Sequence, residues 1–363
     1  MKLFITFFFL CIGSFTYSQT QELTNKKLIL YYEIINKAEN KIVSNKLDSA
    51  LILYKKAFKA FDRPHAKDLY NSMQTALKIK DTDYAFRQYR SLKCLDYPFE
   101  DQFLTQYFPD HKKTDDVHCT VSLNQSYKKS LDSLFTMDQY YRKLSGGDYA
   151  KYQKEITKND SIASVRLLKL IQQKGFPNEY DLGLQSAGKD FFHQFYFIIW
   201  HQTSSNKLKP QQVNFSNELI KALNQGKITP DTTAFLLDLN NSTNNYTSRH
   251  FDIIEFIKNE GDPARPHDNI TENLKKADCC YVHQWFYPKN RGEQGNILVN
   301  PINENRKKLG MSNLDDNLKK KVFTLRHKDF ILPQAQIVGM SFQTAEDAKK
   351  IKKFLLNLND SHH

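Results

Sequence analysis

Between Asn159 and Gly175 the apolar residues return at helical spacing. Ala163, Leu167, Leu170 and Ile171 fall at i, i+4, i+7 and i+8, one stripe along one face. An Asn159–Asp160 pair suits an N-cap, and Gly175-Phe176-Pro177 supplies the glycine and proline that end a helix. A second helix is predicted over about Asp190 to Gln202. Phe191, Phe192, Phe195, Phe197, Ile198, Ile199 and Trp200 make it apolar on nearly every side, so protein must surround it. Leu131, Leu134, Phe135, Tyr141 and Leu144 predict another helix, ending near Ser145-Gly146-Gly147. Further helices are expected over Ser216 to Gln225 and Asp231 to Leu239, separated by a Gly226-Lys227-Ile228-Thr229-Pro230 break.

The N-terminal third repeats itself. Asp48-Ser49-Ala50 followed by Tyr54 returns as Asp83-Tyr84-Ala85 followed by Tyr89, a period of 35. Over Tyr31 to Phe108 this resembles the tetratricopeptide repeat, whose period is about 34 and whose second helix carries a small residue and an aromatic four apart. Ala38 and Ala57 also suit small positions, though no Trp-x-x-Leu-Gly is present. Two units are fewer than such arrays need, so later helices must cover an open end. Pro109 to Thr120 is polar and suits a linker. Beyond His250 the pattern changes: Phe251 to Lys258 has helical period, Cys280 to Tyr287 and Gln336 to Phe342 suit strands, and Thr344 with Asp347 caps a last amphipathic helix holding Ala348, Ile351, Phe354, Leu355 and Leu358 inward. The expected fold is mainly α. Tetratricopeptide-like hairpins occupy 19–110, a central helical domain 118–247, and a small α+β portion 248–363.

Composition supports helix, since only 12 Gly and 11 Pro occur in 363 residues. The net charge is +12, but acidic residues are interleaved throughout and no nucleic-acid-binding module is recognisable, so no nucleic-acid partner is expected. Lys2, the apolar run Leu3 to Ile12 and the small-x-small site Thr16-Tyr17-Ser18 predict a signal peptide over 1–18. The run is too short for a membrane anchor, and Phe8-Phe9-Leu10 does not suit a lipobox before Cys11. The expectation is an exported protein, periplasmic, surface-bound or secreted, with no stable membrane anchor.

Asp138-Gln139-x-x-Arg142, Asp160, Gly175-Phe176-Pro177, His201, Gly226-x-Ile228-x-Pro230 and Asn303-Glu304-Asn305-Arg306-x-x-Leu309-Gly310 together resemble domain-of-unknown-function family 6624, a group of uncharacterised bacterial proteins, over about 131–314. Phe176 stands where that family has tryptophan, and its Gln-x-Tyr-Gly-Thr-Gln segment before Asn303 is missing. The resemblance implies no reaction.

Four cysteines follow the signal segment. Cys94 with Cys119 is one plausible disulfide in an exported chain. Cys279, Cys280 and His283 offer zinc ligands, but adjacent cysteines are not the usual spacing, and neither metal nor cofactor is assigned. His193 either pairs with Asp190 or sits hydrogen-bonded in the core. Asp138 and Arg142, at i and i+4, suit either a surface ion pair or a site. No serine elbow, phosphate loop, dinucleotide fingerprint or His-Glu-x-x-His is present. Two functional expectations follow. One is a protein- or peptide-interaction module built on the hairpins. The other is a hydrolase-like enzyme whose pocket draws on Asp138, Arg142, Asp160, His201 and Arg306.

Overall fold

Four helices come first among the described residues: α1 (Lys26–Val43), α2 (Leu47–Ala60), α3 (Ala66–Lys78) and α4 (Thr82–Lys93). They are described in a computed structural model covering residues 22–109, 119–185, 187–188, 190–202, 213–246, 252–258, 281–283, 293–334, 336–342, 345–353 and 355–357. The expected signal segment and the Cys279–Cys280 pair lie outside these residues, as does the side chain of His283. The chain is mainly helical.

The helices pair as two consecutive hairpins, α1 on α2 and α3 on α4, with α2 lying against α3. Close approach needs small residues where the helices touch. Ala38, Ala50, Ala57 and Ala85 are fully buried there, beside buried Tyr54 and Tyr89. The open side of the second hairpin is covered by the aromatic stretch 95–108, including α5 (Phe103–Tyr107), with Phe99, Phe103 and Phe108 all ringed around Tyr89.

The central helices are α6 (Gln125–Leu144), α7 (Gln153–Lys174), α8 (Glu179–Leu182), α9 (Tyr196–Trp200), α10 (Ser216–Asn224) and α11 (Pro230–Asn241). α7 ends at Gly175 with φ +84, as its sequence predicts, and its stripe of Ala163, Leu167 and Ile171 is buried. Its start is corrected. The helix begins at Gln153, and Asn159 and Asp160 are interior residues whose side chains reach Met137 and Arg142 on α6 instead of capping a terminus.

The stretch 190–202 is corrected as well. Only Tyr196–Trp200 is α-helix. Phe191 takes a left-handed φ of +61, and Ala187 bridges His193, so the chain turns before the helix begins. Phe195, Tyr196, Ile198 and Ile199 are buried, whereas Trp200 is half-buried at an edge with Phe197 and Phe235. Asp190 accepts the Phe192 N–H and does not serve His193, which is buried.

Two glycines are required where the layers meet. Gly226 has φ +67, and a Cβ there would stand 2.5 Å from the Phe61 ring; Gly310 has φ +85 with Tyr32 and Leu23 as close neighbours. Beyond them come α12 (Glu293–Lys308), α13 (Leu314–Arg326) and α14 (Ala345–Lys352). A four-stranded sheet, in the order β3-β1-β2-β4, is formed by β1 (Asp252–Lys258), β2 (Tyr281–His283), β3 (Gln336–Phe342) and β4 (Leu355–Asn357). Residues 252–258 are thus strand and not helix: their run of isoleucines suits a strand paired along its whole length, parallel to β3. The last helix stops at Lys352, and Leu355 belongs to β4.

One apolar cluster runs from Leu23 and α1 through the central helices to Leu309, Phe330 and Leu332. The inner face of the hairpins is filled by the chain's own later segments. Asn36 donates to the Gly310 carbonyl and Asn40 to Asp316 on α13. Asn71 clamps the backbone of Ile331, donating to its carbonyl at 2.9 Å and accepting from its N–H at 2.7 Å. Charge is buried in the same layer: Lys320 of α13 and Lys67 of α3 both pair with Glu39 of α1.

Candidate functional site

Four of the five residues named from the sequence come together where α6, α7 and the end of α9 meet. Asp138 lies four residues before Arg142, which puts both on the face of α6 turned to α7. Asp160 faces them from the middle of α7, and His201 follows the last residue of α9. The Arg142 guanidinium grips Asp160 through two bonds, Nη1–Oδ1 at 2.7 Å and Nη2–Oδ2 at 2.9 Å. Nη1 also donates to the Asp138 backbone carbonyl at 2.7 Å and stands 3.5 Å from the Asp138 carboxylate. The other Asp138 oxygen faces Nδ1 of His201 at 2.9 Å, and Gln139 donates to Asp138 at 2.8 Å. Both aspartates are 1 % exposed, so this is not a surface ion pair.

A carboxylate only accepts hydrogen bonds, so the proton of this contact sits on Nδ1 of His201. Nε2 then points away from Asp138, and the His201 side chain is 20 % exposed. Burial works to lower the Arg142 pKa, but its hydrogen bonds to Asp160 and the two carboxylates outweigh that and raise it above its ordinary value. Ligand atoms of Asp138, Asp160 and His201 lie within 4.8 Å of one another, a spread a divalent ion could gather. The guanidinium already occupies the cation's place, however. A metal would have to displace it and leave a buried arginine without its carboxylates.

Arg306 does not join this group. It is fully buried at the end of α12, where Nε donates to the Ser312 carbonyl and Nη1 to that of Tyr246. Burial lowers its pKa to about 10, against the opposing pull of Asp231 and Asp238. Its work is to fasten the turn after α12 to the end of the 242–246 loop, which Asp238 holds from the other side.

Sequence reasoning missed a second feature. A cavity of about 640 Å³ opens between the second hairpin, the 97–107 stretch and residues 324–334. Its rings form a continuous chain: Tyr70 to Tyr97 at 5.5 Å, Tyr97 to Phe99 at 4.6 Å, Phe99 to Phe103 at 4.7 Å and Phe103 to Tyr107 at 4.7 Å. Phe191 lies stacked on Tyr97 at 5.6 Å. A bulky residue with φ +61 is strained, and here the strain sets a ring in the wall of a cavity. The clue in the sequence was five aromatic residues within 97–108, interrupted by Pro98, with Phe99, Phe103 and Tyr107 four apart. The cysteines nearby are joined: Cys94 at the end of α4 is bonded to Cys119, tying the chain before α6 to the hairpins.

Compared with known proteins, the chain matches no family model, no curated protein and no solved structure. The likeness to family 6624 and to tetratricopeptide repeats therefore rests on the residues quoted for it.

Proposed function

We propose that this protein binds an extended peptide segment of a partner in the aromatic groove beside its second, tetratricopeptide-like hairpin. The observation that carries the reading is the groove itself: about 640 Å³, lined by Tyr70, Tyr97, Phe99, Phe103, Tyr107 and Phe191. That size lies within the roughly 300–1,000 Å³ of ligand sites, and rigid rings bind with little loss of freedom. Residues 327–333 support a peptide as the occupant. This stretch already runs along the same wall, held through its backbone by Asn71 and through Asp329 by Lys78. The test is selection from a displayed peptide library, followed by titration against Tyr107→Ala, whose ring is 40 % exposed. Enriched peptides should lose at least about tenfold in affinity, equivalent to about 1.4 kcal/mol. Failure to enrich any peptide, or equal binding by the variant, refutes the reading.

A second, hydrolase-like reading rests on one observation, the part-exposed His201 whose Nδ1 meets the buried Asp138 at 2.9 Å. That is the orientation of a general base that activates water. It ranks below the first because every other polar group of the cluster is engaged within it, as in a brace joining three helices. His201→Gln separates the two roles. As a base, the variant keeps its unfolding midpoint and loses turnover of an activated ester. A loss of stability beyond about 1 kcal/mol with no turnover to lose assigns the ring to the brace.

A further inference from the structure

A separate trough of about 500 Å³ runs along α4. Its α4 wall carries Arg87, Arg90 and Ser91, spaced along one face of that helix. The rest of its lining is largely apolar, with Phe58 from α2, Leu69 from α3, Val121 and the ring of Tyr180. Cys94, bonded to Cys119, forms part of the wall, so the disulfide fixes Thr120 and Val121 against α4. Arg87 and Arg90 are both exposed, and neither has a carboxylate within ion-pair distance among the described residues. Arg87 lies over the Tyr84 ring at 5.4 Å. Asp62, the one acidic residue of the lining among the described residues, comes from the chain after α2 and forms an ion pair with neither arginine.

We propose that this trough binds a medium-chain carboxylate, its head on Arg87 and Arg90 and its tail on Phe58, Leu69 and Val121. Two exposed arginines with no ion pair among the described residues offer the planar, forked donor set that carboxylates match. The apolar residues Phe58, Leu69 and Val121 supply a place for a tail. The α4 wall from Arg87 to Cys94 is seven residues of helix, about 10 Å, close to the length of an extended chain of about eight carbons, head included.

The experiment is calorimetric titration of the full chain with octanoate, with octanamide as the same tail without charge, and with acetate as the head without a tail. Octanoate should bind saturably, and octanamide and acetate at least about tenfold more weakly. Arg87→Gln/Arg90→Gln should weaken octanoate at least about tenfold while leaving octanamide unchanged; because both side chains are exposed, its unfolding midpoint should match the parent's. No saturable octanoate binding up to about 10 mM, equal binding by the double variant, or tighter binding of an acidic peptide than of octanoate each overturns the proposal.

Discussion

Glu39→Gln tests how the hairpins are joined to the later helices. Glu39 is 3 % exposed, and its two oxygens receive the ammonium groups of Lys320, at 2.6 Å and itself 1 % exposed, and of Lys67. Burial alone would push this carboxyl up; the two lysines overcome that and hold it at about 2, below its ordinary 4.5. A drop of that size is worth about 3 kcal/mol of folding stability. Because the folded-state value is the lower one, the contribution is complete above pH 4.5 and fades as the pH falls toward 2. Glutamine removes the charge and leaves Lys320 buried without it, while Lys67 keeps Asp68 at 3.2 Å. The expected cost is roughly 3–5 kcal/mol at pH 7, as for other buried pairs that lose one partner. Urea denaturation followed by circular dichroism measures it. Two further results are required. The gap between variant and parent should close as the pH is lowered from 5 toward 2, and Glu39→Met/Lys320→Met should recover most of the loss, since replacing both partners removes the orphaned charge. A loss below about 1 kcal/mol, or a gap that does not change with pH, refutes the reasoning.

Three more perturbations have definite expected outcomes. Ala85→Leu puts three carbons into a fully buried helix contact and should cost about 1–3 kcal/mol by overpacking, read from the same denaturation curve. Phe195→Ala should cost roughly 3–5 kcal/mol, because the ring packs against both Phe176 and Tyr196 and its loss leaves a cavity. Cys94→Ser/Cys119→Ser opens a loop of 25 residues and should lower stability by about 3 kcal/mol, with parent and variant converging once a reductant is added.

Much of the helical layout is legible in the sequence, because stripe, cap and breaker are local signals. The α7 stripe and its Gly175 end are visible without a structure, and so is the break before α11. Asn159 and Asp160 mislead for a physical reason: capping residues and residues that reach a neighbouring helix are chemically the same. The 190–202 stretch misleads because aromatic residues bury equally well in a turn, and a left-handed Phe191 has no sequence signature. Asp138, Arg142, Asp160 and His201 are findable as unusual polar residues among apolar stripes. Arg306 has the same appearance, but it serves backbone carbonyls of a turn. Glu39 and Lys320, 281 positions apart, are invisible among interleaved surface charges, and the aromatic groove is assembled from four separated stretches.

The filling of the hairpins by residues 310–332 has a consequence for the order in which the chain matures during synthesis. Asn36 and Glu39 emerge early, but their partners Gly310 and Lys320 follow 274 and 281 residues later. At roughly 5–20 residues per second the wait is about 15–60 s. For that interval α1 and α3 present to water the Glu39 oxygen that Lys320 later meets and the unclamped Asn71 amide, together with the apolar face that Leu309, Phe330 and Leu332 later cover. The first helices to be made are therefore among the last to be completed.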